Sequence, residues 1–216
     1  MASRPNMSMV EAFPGAGAFL PDRRTLPLLR AAARTCNGCD LYRKATQTVF
    51  GEGPEAARVA LIGEQPGNDE DLQGRPFVGP AGGVLERALA EASFERADVY
   101  VTNVVKHFKF EERGKRRLHQ KPRLGEVKAC QPWLQAEMEL VKPKIIVCLG
   151  ATAARTLLGS KFRLTSERGV PLQHAWATYV VATMHPSAIL RVPDAADRHA
   201  EYARLVADLR FVRSLL

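Results

Sequence analysis

The chain of 216 residues has 46% hydrophobic and 25% charged residues, a composition and a length that suit one large α/β domain. No apolar run reaches membrane-spanning length, and the N-terminal segment lacks the apolar core of a signal peptide, so a membrane or secreted protein is not expected. The net charge of +8 is concentrated in residues 106–123, where eight Lys or Arg face two Glu, which favours a polyanionic partner, with a solvated surface loop as the alternative.

The chain divides into an N-terminal arm and one domain. Residues 1–25 are interrupted by Pro, Gly and charges, so we expect a flexible arm there and a single domain over 26–216. Four apolar runs rich in Val, Ile and Tyr lack strict alternation, which predicts strands covered on both faces. These runs are Arg58–Ile62, Val99–Val104, Lys144–Leu149 and Thr178–Thr183.

Helical patterns lie between and after these runs. One apolar stripe covers residues 84–92, and another covers residues 127–141, where Pro132 is expected to kink the helix or mark its start. A short helix is predicted after Gly150, and the last helix has Asp194 as its predicted N-cap. The alternation predicts an α/β fold: a single domain with a four-stranded, mostly parallel sheet sandwiched by helices.

Each predicted strand leads into a polar or glycine-rich turn: GEQPGNDED, TNVVKH, LGAT and HPSAILR. In open α/β sheets, ligands bind at the carboxyl ends of the strands. We therefore expect Glu64, Asn103 and His185 to converge on one crevice, although they are far apart in the chain.

The residues at this crevice suggest a reaction centre. Glu64 could orient water or stabilise a cation, and His185 could hydrogen-bond a developing anion. Phe77 could stack on a planar base, and Asn103 offers the donor and acceptor needed to read a pyrimidine edge. The alternatives are a solvated carboxylate, capping side chains and an aromatic residue in the core.

Four cysteines form a candidate metal site. Cys36-x-x-Cys39 has chelate spacing, whereas Cys130 and Cys148 are distant from that pair and from each other. A ligand set assembled in this way fits a Cys₄ zinc site or an iron–sulfur cluster, and spacing does not choose between them. Four unrelated buried cysteines are the alternative.

The stretch GKRRLHQKP combines consecutive cations with a single histidine, His119. Arginines alone would suit a phosphate backbone, so the histidine requires a separate explanation. The chain contains no GxxxxGK[ST] and no GxSxG motif, which argues against a nucleotide-driven machine and against serine acyl chemistry.

Together, GE-x-PG followed by ED, then RPFVGPAG, TN-x-VK and HPS resemble the uracil-DNA glycosylase superfamily in its iron–sulfur branch. The resemblance covers roughly residues 30–213, and it implies that the four cysteines are the ligands of a [4Fe–4S] cluster. GEQPG, VKHFKF and GKRRLH are most similar to the UdgX-type group, whose members excise uracil and attach covalently to DNA through a histidine in a KRR-x-H loop.

This resemblance assigns roles to individual residues. His119 would be the nucleophile, in a basic loop inserted at about 106–123. Phe77 would stack on the uracil and Asn103 would read its edge, while His185 would steady the leaving base. The residues Gly63, Glu64 and Gln65 would line the pocket, and Lys115, Arg116 and Arg117 would hold the DNA backbone and the loop. Asn68 departs from the family pattern, which has an acidic residue there.

The resemblance implies a single-turnover enzyme that cleaves the N-glycosidic bond of uracil in DNA and becomes attached to the sugar C1′. A conventional multiple-turnover glycosylase and a non-catalytic, metal-containing nucleic-acid-binding module are the two rivals. We expect a cytoplasmic bacterial protein, monomeric, acting on uracil-containing DNA and accepting single strands.

Overall fold

A computed structural model describes residues 13–216, and its centre is a five-stranded sheet within that range. The strand order is β2-β1-β5-β7-β6, with β1, β2, β5 and β7 parallel and β6 antiparallel at the edge. A separate hairpin consists of β3 and β4. The strands are β1 (Val59–Gly63), β2 (Val99–Asn103), β3 (Phe110–Arg113), β4 (Arg116–His119), β5 (Ile145–Leu149), β6 (Leu172–His174) and β7 (Ala177–Thr183).

Helices cover both faces of the sheet. Against one face lie α1, α4 and α5, and against the other lie α3, α7 and α8, which explains why every residue of β1, β2 and β5 is buried. The helices are α1 (Leu26–Ala33), α2 (Asn68–Gln73), α3 (Pro80–Glu91), α4 (Leu124–Val141), α5 (Ala151–Leu158), α6 (Leu164–Glu167), α7 (Pro186–Leu190) and α8 (Ala195–Ser214).

The predicted α/β class and parallel sheet are confirmed, and four strands lie where the apolar runs placed them. The central sheet has five strands, one more than predicted. The additional strand is β6, which has only three residues, and they are not deeply buried. Such a short edge strand forms by pairing with its neighbour and carries little periodicity of its own.

Two helix predictions differ in outcome. The Asp194 side chain caps α8 by accepting a hydrogen bond from the Asp197 N–H at 2.9 Å, as predicted. Pro132, however, does not begin a helix: α4 starts at Leu124 and continues through it. Within the described residues, none of the helices combines the length and the hydropathy needed to span a membrane.

The arm predicted over residues 1–25 lies partly outside the described residues. In the described part, Ala16–Phe19 forms a 3₁₀ turn that packs against α4, and Ala16 is buried. Gly15 donates its N–H to the Gly38 carbonyl at 3.0 Å. This segment therefore packs against the domain from its first described residues.

Candidate active site

The predicted crevice lies at the carboxyl ends of the parallel strands. Glu64 follows β1 and accepts a hydrogen bond through Oε2 from the hydroxyl of Thr152, which lies just after β5. Its other oxygen, Oε1, lies 3.6 Å from His119 Nε2. The position of Glu64 at a strand end thus brings it close to His119 of the basic segment and to Thr152. Thr152 was not among the residues selected from the sequence.

His119 is the last residue of β4, so the basic segment forms a hairpin where a loop was predicted. Half of its side chain is exposed, and its ring centroid lies 6.0 Å from that of Phe108. Partial burial lowers the pKa of His119, while the charge of Glu64 acts in the opposite direction. The imidazole is therefore neutral at pH 7 and keeps a nitrogen lone pair.

His185 is held in one tautomer by its own helix. It is the N-cap of α7, and its Nδ1 accepts the Ser187 N–H at 3.1 Å. Burial, followed by the positive charge of Arg191, lowers the pKa of His185 to about 4. The ring is thus neutral with its proton on Nε2, which leaves Nε2–H as a donor.

Phe77, Gly63 and Asn103 lie together beside His185, and this group of residues is called the slot. Phe77 has a positive φ of 56°, and its ring centroid is 5.8 Å from that of His185. A non-glycine residue in this conformation is uncommon and is often found at functional sites. A Cβ added to Gly63 would lie 2.7 Å from the Phe77 ring and closer still to Asn103 Oδ1, so only glycine fits there.

Asn103 ends β2 and turns an unpaired acceptor into this slot. Its Oδ1 is the one buried side-chain N or O atom among residues 13–216 that has no hydrogen-bond partner. Leaving a buried acceptor unpaired costs about 1–3 kcal/mol. A ligand that offers an N–H donor would remove this cost.

Arg117 fastens the hairpin to α2. Its guanidinium lies 2.6 Å from Asp71 Oδ2, donates to Asn68 Oδ1 at 2.8 Å and lies 4.9 Å above the Phe110 ring. Asp71 also accepts the Thr46 N–H, at 3.0 and 3.1 Å to its two oxygens. Asn68 therefore provides a hydrogen-bond acceptor for Arg117 but lacks the negative charge of the acidic residue that was expected at this position.

Gln65 supports the base of the same hairpin. Its Nε2 donates to the carbonyls of Lys109 and Gln120 at 3.2 and 3.1 Å, and its Oε1 accepts the Lys109 N–H. Its side-chain amide is thus engaged by the hairpin main chain. Lys115 and Arg116, in contrast, are exposed at the hairpin tip, where they are available to a phosphate backbone.

The four cysteines are buried as free thiols and belong to the same apolar cluster, on the α4 face of the sheet. Burial raises the pKa of Cys39 to about 11 and of Cys130 to about 12, and it also raises that of Cys148. Smaller electrostatic effects also raise the first two of these pKa values: Cys36 acts on Cys39, and both of them act on Cys130.

Two N–H groups point at sulfur: Trp133 Nε1 donates to Cys36 Sγ at 3.3 Å, and the Lys106 main chain donates to Cys130 Sγ at 3.2 Å. Within the described residues no three metal-binding side chains surround a single ion. Soft, buried sulfur ligands with N–H donors to sulfur fit an iron–sulfur cluster, which is larger than one ion.

Comparison with known proteins agrees with this arrangement. The family model of the uracil DNA glycosylase superfamily matches residues 50–210. A type-4 uracil-DNA glycosylase of Thermotoga maritima is 36% identical over 184 residues, covering 85% of this chain and 90% of the relative. Type-4 enzymes of Archaeoglobus fulgidus and Pyrobaculum aerophilum are 35% and 34% identical, covering 81% and 78% of this chain and 88% and 86% of those relatives.

Proposed function

The chain belongs to the uracil DNA glycosylase superfamily, and from this we propose that it excises uracil from DNA and then bonds to the sugar C1′ through His119. The observation that carries the covalent step is the position of the half-exposed His119 imidazole, whose Nε2 lies 3.6 Å from Glu64 Oε1.

Recognition rests on the unpaired acceptor of Asn103. Uracil carries an N–H at N3, which can donate to Oδ1, whereas cytosine has an acceptor at that position. A site that must hydrogen-bond its substrate discriminates strongly against a base that leaves its polar group unpaired. The Phe77 ring would provide the stacking surface for the base, and Gly63 lets Phe77 and Asn103 pack closely against the end of β1.

Cleavage of the N-glycosidic bond leaves its electron pair on the uracil and positive charge on the sugar. The base must first leave the DNA stack to enter the slot. The Glu64 carboxylate, oriented by Thr152, favours the cationic sugar. The Nε2–H of neutral His185 donates to the uracil oxygen that gains negative charge.

In the last step a lone pair on the His119 ring forms the N–C1′ bond and so consumes the sugar cation. The ring then releases its remaining N–H proton to solvent, and the expelled uracil anion takes up a proton from solvent. A group held in position competes with water at an effective concentration of about 10⁵ M or more. Reversal would require an imidazole anion to leave, so each molecule reacts once.

Cys36, Cys39, Cys130 and Cys148 would hold a [4Fe–4S] cluster in this proposal. When bound, the cluster supplies a rigid link between the N-terminal segment, α4 and β5, and with four cysteine ligands it keeps no open coordination position. A monomer in the bacterial cytoplasm, acting on uracil-containing DNA that includes single strands, completes the proposal. Lys115 and Arg116 would contact phosphates.

The conventional glycosylase is the second candidate, because the relatives are named type-4 uracil-DNA glycosylases and His119 is half-exposed on a hairpin. The two candidates differ in turnover, because the conventional enzyme would release uracil repeatedly. In that case water captures the sugar, and His119 contacts a phosphate instead.

The test is a denaturing gel of the protein mixed with an oligonucleotide that contains one deoxyuridine, beside a thymidine control. We expect a uracil-dependent band that survives detergent and heat, is absent with His119→Ala and persists with His199→Ala, which changes an exposed histidine. Repeated uracil release without an adduct would favour the conventional enzyme. Failure to release uracil by protein with a full complement of iron would refute glycosylase function.

A further inference from the structure

A buried ion pair contacts the main chain of Asn103 and takes no part in the proposed reaction. Lys106 and Glu137 are fully enclosed, and Lys106 Nζ lies 2.5 Å from Glu137 Oε2. Buried charges are costly, and an ion pair of this kind is weak evidence for added stability. Its presence therefore calls for another explanation.

Every charged atom of the pair is satisfied. Glu137 accepts hydrogen bonds from Gly51 N–H, Tyr100 OH, the Thr102 hydroxyl and Lys106 Nζ. Lys106 Nζ donates to Glu137, to Thr102 Oγ1 at 2.7 Å and to the Asn103 carbonyl at 2.8 Å. A network without unpaired members is rigid, because any displacement breaks several hydrogen bonds at once.

This network holds the main chain on which Asn103 sits. The next two residues, Val104 and Val105, donate their N–H groups to the Gly63 and Glu64 carbonyls at 2.9 and 3.0 Å. The Lys106 N–H reaches Cys130 Sγ at 3.2 Å. Lys106 thus joins the end of β2 both to Glu137 and to a cysteine of the candidate metal site.

Rigidity matters here because Asn103 Oδ1 has no partner. An unpaired buried amide gains free energy by rotating or shifting toward any available donor, so an external restraint must keep it in place. Gly63 and Phe77 confine the Asn103 side chain. The main-chain carbonyl of Asn103 accepts a hydrogen bond from Lys106 Nζ, which restrains the backbone at this residue.

We propose that Lys106 and Glu137 are positioning residues that hold Asn103 in the orientation that reads uracil. They act through Asn103 and contact no substrate. This role rests on the proposed uracil recognition and deepens it, since the specificity of the slot then depends on the charges of this buried pair.

The test compares the wild type with the double variant Lys106→Met/Glu137→Gln, which removes both charges and nearly preserves volume. Lys144→Met is the matched control, because Lys144 also donates to main-chain carbonyls, those of Leu215 and Leu216, but at the opposite end of the sheet. The readouts are competition by free uracil, the single-turnover rate constant and half-saturating protein concentration for excision from a deoxyuridine oligonucleotide, and affinity for a uracil-free oligonucleotide.

We expect the double variant to bind free uracil about tenfold more weakly, as for loss of one well-placed hydrogen bond. Its single-turnover rate constant for excision should fall about 10²-fold, because small displacements of a recognition group reduce rates by that order. Affinity for the uracil-free oligonucleotide should not change. Lys144→Met should match the wild type in all three measurements.

Folding is monitored by iron content and thermal unfolding, and Glu137→Gln alone, which retains an acceptor for Gly51 N–H, is the second variant. A folded variant that binds uracil as the wild type does would overturn the proposal. So would failure of both variants to fold, because the pair would then serve only stability. If the wild type itself neither binds nor releases uracil, the proposed function fails, and this is established before any variant is measured.

Discussion

Replacing Arg117 by methionine should separate covalent capture from uracil excision. Arg117 and His119 are two residues apart on β4, so their side chains leave the same face of the hairpin. Arg117 binds Asp71 and Asn68, and this contact fixes the strand from which His119 reaches toward Glu64. Methionine keeps the apolar packing of the side chain and removes the charge.

The expected loss of stability follows from the loss of the Arg117 guanidinium as the ion-pair partner of Asp71. Removing one partner of a fully buried ion pair costs about 3–5 kcal/mol. Asp71 is fully buried, but Arg117 keeps 18% of its side chain exposed, and Asp71 retains its two contacts with the Thr46 N–H. We therefore expect a loss of about 2 kcal/mol in the free energy of unfolding.

Arg116→Met is the matched control, because Arg116 precedes Arg117 and points to solvent. Urea denaturation measures stability, and single-turnover gels measure adduct formation and uracil release separately. Arg117→Met should slow adduct formation about 10²-fold and leave uracil release largely intact. Arg116→Met should keep the stability and reduce the salt dependence of DNA binding by about one phosphate contact. Equal rates of adduct formation in the two variants would refute a positioning role for Arg117.

Three further predictions concern pH, packing and the cysteines. Because burial lowers the pKa of His119, the adduct rate should fall toward acid with an apparent pKa below the usual 6.5 of histidine, and an apparent pKa above 6.5 would contradict this. Gly63→Ala should abolish uracil release, since its Cβ would overlap Asn103 Oδ1, whereas Gly83→Ala, with open space around its Cβ, should retain it in the same assay. Cys130→Ser should lower the iron content and the melting temperature measured by calorimetry, and unchanged values would remove Cys130 from the ligand set.

Much of the candidate site was predictable from the sequence because several of its residues lie at the carboxyl ends of strands. Four strands are long, apolar runs whose composition is sufficient to identify them, and parallel strands bring their carboxyl ends to one edge. The convergence of Glu64 with the strand-end neighbour Thr152 follows that rule, as does the placement of Asn103 at the end of β2. LGAT was identified as a strand-end turn, but its Thr152 was not selected as a site residue.

The hairpin was not predictable from the same signals. Its strands FEER and RRLH carry mostly charged residues, and a local pattern of this kind is typical of a solvated loop. Two features stabilise it: Gly114 has a φ of 60° in its two-residue turn, and Arg117 reaches α2. The glycine was visible in the sequence, but the partner of Arg117 lies 46 residues away and depends on the tertiary fold.

The candidate site is divided between the parallel sheet and the β3–β4 hairpin, and this division has a chemical consequence. In the proposed reaction, base recognition and bond cleavage would use Asn103, Glu64 and His185, which lie on or next to the parallel sheet. His119 instead lies on a two-stranded hairpin, and an isolated hairpin of that size is marginally stable in water. The contacts of Arg117 and Gln65 described above join it to the domain. Since water and imidazole would compete for the same sugar cation in the proposed reaction, we expect the hairpin contacts to determine which of them captures it and the sheet residues to determine which base is released.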